Sequence, residues 1–187
     1  MHLSARLKVF AALLVLLVAT RIGHFGTVVS LPDASLAVFL LGGAWLAGGR
    51  LNGWACFSAL IAAAFAIDVG LAQTATEAGW CLTPAYGGLV VAYLAVWGLG
   101  RWLGRADLSA PRLASFGLAA VAVHFLVANL SFWAASGYFD GLGLIDYFSR
   151  VAHYFPGYLA STALYLTLGW IALRLVGARR AAAPLPR

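Results

Sequence analysis

One of the two cysteines in this chain, Cys81, sits in a short polar interruption, Gly79-Trp80-Cys81-Leu82-Thr83-Pro84, between two long apolar segments. Thr83 is a candidate helix N-cap and Pro84 suits the first helical position, so the pattern predicts a helix starting here. Cys81 then stands just outside a helix N-terminus, where the positive end of the helix dipole favours a thiolate over a thiol. A thiolate is a soft metal ligand and a nucleophile. The plain alternative is a loop cysteine with no task. Other polar candidates are Asp68 before it, Tyr86 just after it, Arg150 and His153 in a later connection, and His24 after the first apolar segment.

The elements that position these residues are membrane spans. The chain of 187 residues is 63% hydrophobic and 10% charged, with mean hydropathy +0.92, which a soluble domain of this size does not show. Apolar runs long enough to cross the ~30 Å hydrocarbon layer recur along nearly the whole length. Six are read, at about 7–23, 33–49, 54–73, 84–103, 113–136 and 157–177. With short connections between them, apart from 137–156, the expectation is one all-α membrane domain over residues 1–187.

A net charge of +6 raises nucleic acid as a partner, but its distribution argues against that. If six spans alternate, ten of the twelve basic residues fall on one side: Arg6 and Lys8, Arg50, Arg101, Arg105 and Arg112, and Arg174, Arg179, Arg180 and Arg187. The other side holds Asp33, Asp68, Glu77, Asp140 and Asp146, with only Arg21 and Arg150. The positive-inside rule then puts both termini in the cytoplasm and the polar candidates at the extracytoplasmic mouth. A cleaved signal peptide is the alternative for residues 1–23. The sequence Thr20-Arg21-Ile22-Gly23-His24 is a poor cleavage site, so the segment reads as a retained helix. Cys56 opens the third span at the opposite side from Cys81, too far away for a disulfide, and reads as a small buried apolar residue.

Individual positions carry further expectations. Arg21 either snorkels to the interface or binds, and His24 is either a ligand or an interfacial residue. Asp33 or Ser35 caps the second helix, whose Gly42, Gly43, Ala44, Ala47 and Gly48 suit close packing. Asp68 at membrane depth costs on the order of 2–3 kcal/mol, so it faces a polar cavity or a partner such as Arg21 or Arg150. His124, near mid-span, reads as a buried, hydrogen-bonded histidine. Asn129, Trp133 and Tyr138 climb toward an aromatic belt.

The connection 137–156 is long and holds a helical pattern. Leu144, Ile145, Phe148, Val151, Ala152 and Phe155 share one face, with Asp146, Ser149, Arg150 and His153 opposite. This predicts a short amphipathic helix across the outer mouth, with Asp146 and Arg150 at i,i+4. It either anchors the bundle or forms an aromatic lid over a large, flat, partly apolar ligand.

Several chemistries lack their parts. No CxxC pair, HExxH zinc motif, GxSxG elbow or phosphate-cradling GxxxxGK[ST] loop is present. A membrane bis-histidine haem site fits poorly, because His124 is mid-span while His24 and His153 lie toward the outer face.

A six-span bundle with Asp68, Cys81, Tyr86 and Arg150 beneath an aromatic loop helix resembles the substrate-binding S-components of energy-coupling-factor (ECF) vitamin transporters. It is most similar to the BtuM-type solitary cobalamin S-components. The resemblance covers essentially the whole chain, and its most specific part is Cys81 set between Asp68 and Tyr86. It implies cobalamin (vitamin B12) uptake across the bacterial inner membrane, through a site facing the periplasm. It also implies that the Cys81 sulfur ligates the corrin cobalt and promotes decyanation of cyanocobalamin, a transporter with a thiol-dependent reaction. Cobalamin is then the bound substrate, and no free metal ion is expected. Asp68, Tyr86 and Arg150 would hydrogen-bond the corrin periphery or position the loops, with His24 and His153 as weaker contributors.

S-components that share an energising module dock through an Ala-x-x-x-Ala pattern on the first helix. Here that face reads Ala11, Val15, Ala19, which fits a protein acting alone or with a different partner. Two other classes match the same outline: an S-component for another vitamin, with Cys81 incidental, and a membrane assembly protein without a small ligand.

Overall fold

A computed structural model describes residues 3–22, 31–48, 52–74 and 82–182. It is helical throughout, with no strand among the described residues. In chain order the helices are α1 Leu3–Ile22, α2 Ser35–Leu46, α3 Gly53–Thr74, α4 Tyr86–Leu103, α5 Ala110–Ala135, α6 Leu144–Val151 and α7 Phe155–Ala182. A single 3-10 turn, Ala152–Tyr154, links the last two. Each expected apolar segment coincides with one of the long helices, and α6 is the expected short helix in the long connection. Four stretches are long and apolar enough to cross a membrane: Leu3–Arg21, Gly53–Gln73, Ala110–Ala135 and Leu144–Leu175. The remaining helices, α2 and α4, are shorter, at 12 and 18 residues.

The core is α2. Ten of its twelve residues are buried, and it packs against α1, α3, α4, α5 and α7. A helix apolar on every face has no solvated side to present, so it belongs in the interior. Its small residues let α4 come close, as expected. A methyl group on Gly43 would overlap the Trp97 carbonyl, and one on Gly100 would overlap the Leu40 carbonyl. Above this contact Phe39 of α2 stacks on Tyr93 of α4, with ring centroids 4.3 Å apart, and meets Phe57 of α3 edge-on at 5.7 Å.

The outside of the bundle carries many large apolar side chains. Val15, Leu118, Leu126, Leu130, Leu164 and Leu168 are all exposed. Water disfavours so much contiguous hydrocarbon, and a bilayer does not.

Helix ends refine two expectations. Neither Asp33 nor Ser35 is the N-cap of α2, which is Ala34; Asp33, one residue outside, accepts at Oδ1 from the Ser35 backbone N–H at 3.0 Å and the Ser35 hydroxyl at 2.6 Å. Thr83 does not cap α4. The helix starts at Tyr86, whose N–H donates to the Thr83 carbonyl at 2.9 Å, and the Thr83 hydroxyl finds no partner among the described residues. Thr83, Pro84 and Ala85 form a turn first, so the carbonyl rather than the side chain of Thr83 is used. At the other end of the bundle two arginines satisfy helix C-terminal carbonyls. Arg6 donates to Leu46, and Arg112 donates to Trp102 at 3.1 Å.

Candidate functional site

Four helix ends bring charge together at one place. Arg21 is in the last turn of α1, Asp68 lies six residues before the end of α3, and Ser35 and Tyr86 open α2 and α4. The Arg21 guanidinium grips Asp68 with two parallel bonds, Nε to Oδ1 at 2.7 Å and Nη2 to Oδ2 at 2.6 Å. Fork-on-fork pairing of this kind is the strong form of the interaction. Nη1 also donates to the Ser35 hydroxyl at 3.0 Å and to the Tyr93 phenol oxygen at 3.4 Å. The Tyr86 hydroxyl donates to Asp68 Oδ2 at 3.0 Å.

Arg21 is 8% exposed and Asp68 6%, so neither charge is dissolved in water. An ionised pair in such surroundings persists only with its remaining donors and acceptors occupied. Here Ser35, Tyr93 and Tyr86 supply most of that. Asp68 accepts three hydrogen bonds, which leaves roughly one acceptor position for anything else. Among the described residues this is the one salt bridge. Asp68 therefore takes Arg21 as its partner, not Arg150.

Below the pair lies a ring layer. Tyr93 contacts the His124 imidazole at 4.7 Å, and Tyr158 lies 6.1 Å from its other side. His124 is buried, as expected, but it is not hydrogen-bonded: both ring nitrogens lack a partner among the described residues. Its neighbours at this depth offer ring faces rather than polar atoms.

The long connection is fixed by aromatic residues. Gly137 and Gly141 take positive φ values of 78° and 81°, which turn the chain back. The Trp133 indole N–H donates to the Leu142 carbonyl at 2.9 Å, and the Tyr147 hydroxyl donates to Asn129 Oδ1 at 3.1 Å. α6 docks through Tyr147, which is 1% exposed, with Phe148, Val151 and Phe155 of the expected apolar face half-buried beside it, while Ile145 on that face is 82% exposed. The Tyr147 ring, with its polar tip, fits between Phe139 and Asn129 and is the most buried contact of the helix. Arg150, Asp146 and His153 are exposed, and no ion pair joins Asp146 to Arg150.

Of the residues expected to form the site, Asp68 and Tyr86 are thus in direct contact. Arg150 and His153 have no hydrogen bond or ion pair to them. Cys81 and His24 lie outside the described residues. Sequence reasoning missed Tyr93 and gave Arg21 no settled role. Tyr93 was findable, because seven residues from Tyr86 places it on the same helical face. No group of three or more metal-binding side chains occurs among the described residues.

Fold and site define an all-helical, apolar-surfaced bundle built around one short buried helix and a buried ion pair. The chain belongs to the Family of unknown function (DUF6580), whose profile matches residues 1–184. No curated protein matches it.

Proposed function

We propose that the protein is a six-span inner-membrane carrier that binds cobalamin, resembling the solitary S-components. The observation that carries this reading is the Tyr86–Asp68 hydrogen bond at 3.0 Å. It joins two of the three residues on which the resemblance rests, and the third, Cys81, precedes Tyr86 by five positions. In this reading both termini are cytoplasmic and the ion pair underlies a periplasmic mouth. The Cys81 thiolate donates to cobalt from one face of the corrin. Strong donation of this kind labilises the opposite axial ligand, so cyanide leaves with its bonding electrons and cobalt stays in the +3 state. Tyr86 and the free lone pair of Asp68 meet amide hydrogens at the corrin edge, while Arg150 and His153 on exposed α6, with His24, approach from above. Ala11 and Ala19 are exposed on α1 and Val15 is 67% exposed, so that face is open to a partner subunit even though its pattern is altered.

The test is the visible spectrum of protein purified from cells grown with cyanocobalamin, wild type beside Cys81→Ser. A corrin spectrum shifted from that of the free vitamin in wild type and unshifted in the variant supports cobalt–sulfur ligation. Unshifted corrin in both keeps cobalamin and removes Cys81 as ligand. No corrin in either, even after its addition, ends the cobalamin reading in favour of another vitamin or a ligand-free role.

A further inference from the structure

A groove of about 330 Å³ runs between α5 and α7, and none of the ion-pair residues lines it. Gly117 and Thr162 are its buried floor, and Ala114 and Ala163 its exposed rim. Ala110 and Trp170 line it too, so it reaches the first residue of α5. Small residues at 110, 114 and 117 repeat on one face of α5, and they leave the slot open. From Thr162 to Trp170 the slot extends about 12 Å along α7.

Two buried polar atoms in this slot have no partner among the described residues, Thr162 Oγ1 and Trp170 Nε1. A threonine hydroxyl can turn onto the carbonyl four residues back in its own helix. An indole N–H is a donor only and projects away from its own backbone, so it calls for an acceptor from outside the chain. One turn further along the same face, the exposed Arg174 guanidinium lies over the Trp170 ring at 5.0 Å and makes no hydrogen bond among the described residues. The first turn of α5 also meets the groove here, and its cap residue Ser109 makes no side-chain capping bond. The order along α7 is therefore an apolar slot, a neutral donor and a cation.

That order matches an acyl chain, its ester carbonyl and its phosphate. We propose that the α5–α7 groove binds one acyl chain of an anionic phospholipid. The ester carbonyl accepts from Trp170 Nε1, and the phosphate pairs with Arg174. Arg101 and Arg105, exposed at the same end of the bundle, add to the preference for a net negative headgroup over a zwitterionic one. Each basic residue near such a surface contributes roughly fivefold in affinity. This site is independent of whatever ligand the opposite end takes.

Native mass spectrometry of the full chain in detergent tests it, with equimolar dioleoylphosphatidylglycerol and dioleoylphosphatidylcholine as probes. Wild type should retain the glycerol lipid about fivefold or more over the choline lipid. Arg174→Gln should lower that ratio about fivefold, Trp170→Phe should lower retention of both lipids, and Ala163→Phe should remove retention by filling the slot. Thermal melts of each variant confirm that it is folded. Inorganic phosphate should leave the wild-type melt unmoved, whereas phosphatidylglycerol should raise it. Equal retention of the two lipids by wild type, an unchanged ratio in Arg174→Gln, or full retention in Ala163→Phe overturns the proposal. So does a dimer that Ala163→Phe abolishes, because the occupant is then a second copy of the chain.

Discussion

Removing one member of the Arg21–Asp68 pair should destabilise the fold far more than removing both. Both side chains are at least nine-tenths buried, at 10% and 8% relative exposure, and the pair is bidentate. Asp68→Leu leaves a buried guanidinium with only Ser35 and Tyr93 to meet it, and strips Tyr86 of its acceptor. Arg21→Met leaves a buried carboxylate with Tyr86 alone. Breaking a buried pair from one side costs about 3–5 kcal/mol, while replacing both partners with apolar groups is often near neutral. At roughly 2–4 °C per kcal/mol for a chain of this size, each single variant should melt about 6–20 °C below wild type. The double variant Arg21→Met/Asp68→Leu should recover most of that loss. Reversible unfolding in mixed micelles, followed by tryptophan fluorescence, gives the four corners of the cycle. Single variants within about 1 kcal/mol of wild type, or a double variant that merely sums the singles, would refute the reasoning. Either outcome would mean that water reaches the pair and screens it.

Gly43→Val should fall at or above the top of the ~1–3 kcal/mol range for overpacking, because the added carbon meets the Trp97 backbone and not a movable side chain. Gly70→Ala on α3, where an added methyl meets nothing within 4 Å, should instead stabilise by up to about 1 kcal/mol through helix propensity. Melting curves of the two variants side by side check both signs. His124→Leu should keep or raise the melting temperature, because it removes two buried nitrogens with no partner. A drop of more than about 2 kcal/mol in that variant would reveal an internal water or ligand bonded to the imidazole.

Helix positions were legible in the sequence because a 3.6-residue period and the length of an apolar run are local properties. They gave every long helix, with α6 in its connection, to within a few residues. The close α2–α4 packing was legible for a related reason, since a run of small residues has few other uses in an apolar helix. Tyr86 was found as a site candidate because it follows the polar interruption that holds Cys81, and Asp68 because a carboxylate in a hydrophobic segment is costly enough to stand out by itself. Tertiary structure decided which cation answers it. Arg21 and Arg150 were equivalent on the page, 47 and 82 positions from Asp68. Only the packing of α1 beside α3 around α2 places the first of them within 2.6 Å. The same holds for α6, where Phe148, Val151 and Phe155 are half-buried as the period suggests, but Tyr147, reaching Asn129, is the most buried residue and leaves Ile145 outside. Composition and period fix what each segment is, because they depend on neighbours in the chain. Partners depend on distance in space, which only the folded bundle sets.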